Sequence, residues 1–440
     1  MADCAGRILR HLSLMTRIFF ITLMLCTGRI LPGQDLTSAD PKQRAKAARE
    51  TVKEGPGAIE KLKPLLSDAD SSVRFEAVKA IAEIGGRNSI DPLVQATADN
   101  DSSVQVRATD GLVNFYLPGY LQTSIQRVGS ILKSKFIEKD EQIVPVYVIV
   151  PEDVIAALGR LARGGASMES RANAARAVGI LRGKAAIPDL LEALRTKDDT
   201  VMYESLIALQ KMRDPAIAPK ITFLLRDPNE RIQIAALETV GLLMSKEANP
   251  ELQKAYDRAR NEKIRRAALS ALAMVPQPEN RPYFERAFHD KDDDIRTAAF
   301  EGYARLKNPA DLPVLQAAFD AERKATPRIA LAFALVSLGK TEISQLSPAQ
   351  YLIDTLNSKQ RHQIAQAYLT ELARVPVMRA ALNDAAIRGT RDEKIGISRI
   401  LAVSGDKSSI APLDALTRDP DSEVAQESLR AVRSLKTRIE

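Results

Sequence analysis

The chain has no tryptophan, two cysteines and three histidines in 440 residues, and aromatic side chains make up only 5% of it. Each shortage excludes a class of chemistry. Cys4 and Cys26 both lie at the extreme N-terminus, so the rest of the chain has no thiol for a nucleophile, a disulfide or a metal. Beyond His11, the histidines His289 and His362 stand alone, with no H-E-x-x-H or paired His-Glu pattern and no G-x-S-x-G elbow. No catalytic residue, cofactor or metal is therefore assigned. A strong charge of one sign is also missing: 63 Lys and Arg face 56 Asp and Glu. The first 33 residues carry +3 of the net +7, leaving a mild excess that reads as solvated surface and not as a nucleic-acid footprint.

Long apolar runs are scarce as well. The one near the N-terminus, "IFFITLMLC" (Ile18–Cys26), follows Arg7, Arg10 and Arg17. It is shorter than the roughly 20 residues a membrane span needs, but it suits the apolar region of an export signal. Residues 1–33 are expected to be a signal peptide, with an alternative start at Met15 and cleavage after Gly33. The mature chain would then be periplasmic or extracellular and would hold no stable membrane span. A lipid anchor at Cys26 is the weaker reading, because Leu25 stands where a small residue is expected.

What the chain does have is a repeat. "DSSVR" at Val73 recurs as "DSSVQ" at Val104, a step of 31. Further anchors fall at Ser170, Val201, Ile232, Ile264 and Ile295, with less regular ones near Arg328 and Gln363 and clearer ones at Ile395 and Val424. Within a unit, Val73, Ala77, Ile81 and Ile84 form one helical stripe, which Gly85 and Gly86 close as a left-handed cap would. Ile59, Ile90, Ile187 and Ile410 mark an upstream helix, with Pro92, Pro188 and Pro412 in its first turn and Pro64 placed to kink it. A single hairpin of this kind cannot bury its stripe alone, whereas stacked hairpins can. The expected fold is all-α, an α-α superhelix of about eleven helical hairpins. Residues 34–54 read as a linker or first helix, 55–117 as N-terminal repeats, 118–150 as an insertion and 151–440 as C-terminal repeats.

The stretches "AIPDLLEALRTKDDTV" and "LLRDPNERIQIAALETVGLL" resemble short HEAT-type repeats of the kind found in phycobilin lyases and bacterial solenoids. The resemblance implies a HEAT/ARM-type solenoid and a protein or peptide partner. HEAT-like iron hydroxylases carry His-Glu pairs that this chain does not, so their activity is not implied. A lyase-like accessory role on a bound small ligand ranks second, and nucleic-acid binding third.

The step of 66 from Val104 to Ser170 is too long for one unit. Its surplus lies at 118–150, where Ile125, Val128, Ile131 and Leu132 read as an amphipathic helix and "QIVPVYVIV" as a strand or extended connector. Insertions in repeat arrays often sit on the binding side, so Tyr116, Tyr120, Arg127, Tyr147 and Val148 are the candidate partner-binding residues, and homo-oligomerisation through the insertion is a further possibility. Two motifs look chemical without being so. "LGKT" lacks the upstream glycine of a phosphate loop, and Gly339 falls where a helix needs a cap. Asp290, Asp292, Asp294 and Glu301 have calcium-loop spacing, but Ile295 takes the position of the obligatory glycine, so helix-capping aspartates are expected. The Arg or Lys that recurs at or beside the anchor in several units (Arg171, Arg231, Arg265, Arg296, Lys394) is expected to form Asp–Arg ladders between repeats.

Overall fold

A computed structural model describes residues 35–120 and 143–439. The export signal at 1–33, the Cys26 anchor, the helix proposed around Ile125 and the candidate Arg127 lie outside the described residues. All regular structure among the described residues is helical. No described helix is long and apolar enough to cross a membrane. The chain divides into two compact units, one ending at Pro92 and the other beginning at Leu93.

The first unit holds α1 (Pro41–Thr51), α2 (Ile59–Leu62) and α3 (Ser71–Ile84). Asp70 caps α3 by accepting the amide of Ser72, and Val73, Ala77 and Ile81 are buried along the expected stripe. The helix stops at Gly85 (φ 67°, ψ −161°) and Gly86 (φ 83°). Positive φ was expected there, but the extended ψ puts Gly85 in a region almost only glycine visits, not in the left-handed helical well. The Pro64 kink is present: α2 ends at Leu62 and the chain tightens into a 3-10 turn over Lys63–Ser67. Helix α1 packs on α3 just as successive repeat helices do, with Arg44 gripping Asp68 bidentately at 2.7 and 2.8 Å. A helix α4 (Ile90–Ala96) carries the boundary between the units.

The second unit continues with α5 (Ser102–Tyr116) and nine hairpins. Their first helices are α6 (Glu152–Gly164), α8 (Ile187–Ala193), α10 (Ala218–Ile221), α12 (Asn249–Asp257), α14 (Arg281–Ala287), α16 (Leu312–Ala321), α18 (Pro348–Thr355), α20 (Pro376–Arg388) and α22 (Ile410–Leu416). Their second helices are α7 (Met168–Ile180), α9 (Asp199–Met212), α11 (Glu230–Leu242), α13 (Glu262–Met274), α15 (Asp293–Leu306), α17 (Ala325–Ser337), α19 (His362–Leu372), α21 (Arg391–Ser404) and α23 (Ser422–Ile439). From α5 to α23 each second helix packs on the next. They run parallel: Arg266 meets Asp292 where α13 and α15 begin, and Ser404 donates to the Thr370 carbonyl where α21 and α19 end. With the pair α2 and α3, and α4 with α5, this is the eleven-hairpin α-α superhelix class read from the sequence. Close approach needs small residues. A Cβ on Gly179 would come within 2.9 Å of the Ala208 Cα, and one on Gly241 within 2.7 Å of the Ala271 Cα.

The insertion leaves this row unbroken. Helix α5 packs directly on α7, and Asn173 donates to Asp110 at 3.0 Å, so 66 residues of sequence make one step in space. Of the two readings of 142–150, strand or extended connector, the first fails: the described residues 143–150 form no strand. Residues 143–150 are irregular, with a turn in which the Val148 amide donates to the Pro145 carbonyl at 3.0 Å. Pro145 offers no amide to a ladder, and no described strand lies alongside to pair with. The segment is pinned to the helices instead, through the Val144 amide and the Ile180 carbonyl at 2.9 Å.

Candidate interaction surface

The four candidates among the described residues divide in two. Tyr116 ends α5 with 8% of its surface exposed, and Tyr120 lies just beyond with 3%. Burial pushes the Tyr116 hydroxyl up, and Asp153 adds to the shift. Tyr120 sits beside Arg176, whose guanidinium also holds Glu204 at 2.7 Å. Burial would lower that guanidinium, but the Glu204 carboxylate holds it above its ordinary value. Both tyrosines are thus inward-packed residues of the second unit. Tyr147 and Val148, in the turn of the insertion, are half-buried.

Val148 faces a cavity of about 370 Å³, lined by the apolar Pro145, Val146, Ile155 and Leu181 and by the charged Glu152, Arg182 and Lys184. Gly183 makes the far wall close enough, because a Cβ there would lie 2.7 Å from Ile155. Val146 is 42% exposed and Ile149 is 87% exposed, an unusual cost for two large apolar side chains on one short segment. The cavity, its two cations and these two side chains form the candidate surface. A β-branched run around a proline was the sequence signal for it; Arg182 and Lys184 carried none, since only folding brings them to the insertion.

The charged motifs resolve into joints. Asp292 caps α15 by accepting the amides of Asp294 and Ile295, while also pairing with Arg266. Asp290 pairs with Arg265 at 3.1 Å. Glu301 sits in α15 and accepts from the Tyr368 hydroxyl, so it takes no part in the loop. The expected ladders form at Arg265, at Arg296 with Glu322 (3.1 Å) and at Lys394 with Asp419 (2.8 Å). Two of the five basic residues depart from it. Arg171 donates to the Ala162 carbonyl at 3.1 Å, and Arg231 stacks over the Tyr203 ring at 3.7 Å. Gly339 does cap a helix, at φ 103° just past α17. Among the described residues no group of three or more potential ligands could hold a metal.

One buried cluster had no sequence signal beyond irregular spacing. Arg305 on α15 reaches Glu371 on α19 at 3.0 Å, Glu301 at 3.4 Å and the Ala273 carbonyl at the end of α13 at 3.2 Å. Its guanidinium lies 5.3 Å from the Phe333 ring, which stacks on Tyr368 at 4.5 Å. Burial would lower the Arg305 guanidinium, yet the carboxylates keep it above its ordinary value; burial first, and then Glu301, push Tyr368 far up. The cluster clamps α15 to α19 over α17.

A family model described as HEAT repeats matches residues 33–112, 155–241, 198–273, 217–304 and 249–336, together more than half of the chain. No curated protein matches it. Among solved structures, YibA of E. coli is 16% identical, with 66% of this chain and 94% of that one covered and a TM-score of 0.39. The complex of CpcE and CpcF of phycocyanin lyase from Nostoc sp. PCC7120 is 17% identical, covering 61% and 94%, with a TM-score of 0.37. Kap121p bound to Pho4p is 12% identical, covering 91% and 56%, with a TM-score of 0.42. By its family match and its stacked hairpins, the chain belongs to the HEAT-repeat family.

Proposed function

We propose that this chain is a non-catalytic protein-interaction scaffold, exported to the cell envelope, that holds a peptide or protein partner at the surface formed by residues 143–150 and the turn after α7. The observation that carries this reading is the pair Val146 and Ile149, held out to solvent beside a cavity by a segment whose backbone is fixed to Ile180. Apolar side chains displayed on a pinned support are what a partner's buried anchor contacts require. Asp292, Arg265, Arg296 and Lys394 are used in caps and ladders between repeats, as a scaffold requires.

The test is cross-linking in the native envelope followed by affinity purification of the tagged chain, with V146D/I149D processed in parallel. A discrete protein partner should be recovered with the native sequence and depleted with the variant, both being equally abundant and equally helical by circular dichroism. Equal recovery with both sequences would remove the surface from the function. Fractionation of the tagged chain with cytosol, its first 33 residues retained, would remove the envelope.

A further inference from the structure

Because the second helices run parallel, the turns that follow them lie along one edge of the second unit. That edge carries a row of exposed cations, with Asp214 and Glu247 between them hydrogen-bonded to the Ala216 amide and the Ser245 hydroxyl. Arg182 and Lys184 follow α7, Arg213 follows α9, Lys246 follows α11 and Lys307 follows α15, and all five are exposed. None of the five makes an ion pair among the described residues. At the opposite edge the basic side chains are taken up by carboxylates of the next repeat, as at Arg265, Arg296 and Lys394. Helix C-termini favour cations, which accounts for one positive charge at each of the caps Arg182, Arg213 and Lys307. It accounts neither for Lys184 and Lys246, which lie past the caps, nor for the exposed apolar side chains beside them, Val146, Ile149 and Met244.

We infer that this edge binds an extended acidic polypeptide segment with a carboxylate at every third residue and apolar residues between. The spacing supports this occupant. Packed helices sit about 8–10 Å apart, and a partner chain in the polyproline II conformation advances about 3.1 Å per residue with three residues per turn, so every third side chain faces the edge, once per repeat. The turn after α13, Val275-Pro276-Gln277, carries no cation, leaving one uncharged step between Lys246 and Lys307. The cavity beside Arg182 gives a partner side chain a place to insert, a feature that a lipid surface has no use for. This inference rests on the scaffold reading and names the chemistry of its partner.

The probe is a labelled synthetic peptide with glutamate at every third position, compared with a peptide of the same composition whose glutamates are clustered at one end. Fluorescence anisotropy with the mature chain should show tighter binding of the spaced peptide, weakening as salt rises. R182E/K184E/R213E/K246E should weaken it by about tenfold or more without changing helicity. If that variant misfolds, R213Q/K246Q is expected to give a smaller loss in the same direction. Equal binding of the two peptides, or no effect of either variant, would overturn the assignment. So would binding to phosphatidylserine vesicles, sensitive to the same substitutions, with the peptide ignored. If the envelope partner is still captured by the charge-reversed chain, the edge assignment falls while the scaffold reading stands.

Discussion

Arg182, Arg213, Met244 and Lys307 end four second helices with φ between 51° and 56°, each twelve residues after its repeat anchor. An L-residue in the left-handed region costs roughly 1 kcal/mol that glycine does not incur. Met244→Gly is therefore expected to raise stability by about 0.5–1 kcal/mol in urea unfolding. Unchanged or lower stability would mean that the Met244 side chain makes stabilising contacts its exposure hides. The sequence showed this position only where glycine fills it, at Gly85; the later copies were illegible because Arg, Met and Lys announce no backbone conformation. The residue after the anchor was partly legible. Its polarity was plain, but side-chain direction was not: Gln233 donates to the Leu225 carbonyl at 2.8 Å and Arg296 to the Asp290 carbonyl at 2.8 Å, bracing their own turns. Arg74 does the same at the Asp68 carbonyl (2.9 Å).

Helices differ in how completely their neighbours cover them, and α17 is the extreme case, with every residue from Ile329 to Val336 buried. A helix apolar all round needs cover on every side. Here the polar cover is the Arg305–Glu371 bridge with Tyr368, reaching across from α15 to α19. Arg305→Ala is expected to cost about 2 kcal/mol, since it leaves the half-buried Glu301 and Glu371 carboxylates and the buried Tyr368 phenol without their cation. The check is chemical unfolding; a loss below about 1 kcal/mol would show that the clamp is ornamental. The sequence hinted at this region only through its weak anchors near Arg328 and Gln363. The partner of Arg305 lies two repeats away, a distance that periodicity cannot assign. The strand reading of the segment failed over 143–150 for a similar reason, and the connector reading held: β-branched composition describes what a segment tolerates, while a strand requires a neighbour.

Across the whole molecule, the repeat period alone established the fold class, because each hairpin is a local solution repeated. The proposed surface was legible only as an interruption of that period; Tyr147 and Val148 lie on its segment, whereas Tyr116 and Tyr120 pack inward. The same repetition sets the response to acid. Asp70 is held below its ordinary 3.8 by the Ser72 hydroxyl and amide, Asp419 by Lys394 and the Asp421 amide, and Asp421 by the Val424 amide. Groups depressed in the folded chain give stability that is complete above their unfolded value and lost as pH falls through the lower folded one. Thermal midpoints should therefore be flat from about pH 8 to pH 5 and fall below about pH 4. A decline that begins near neutrality would point to other titrating groups.

The central claim is that a short pinned segment and one edge of a HEAT-repeat array, not a pocket of reactive groups, carry the function. Hydrogen–deuterium exchange of the mature chain, alone and with its captured envelope partner, tests it most directly. Protection is predicted to concentrate at residues 143–150 and 181–185 and to extend along the turns after α9 and α11. Protection confined to the first helices of the hairpins, with 143–150 exchanging as freely as in the isolated chain, would contradict it.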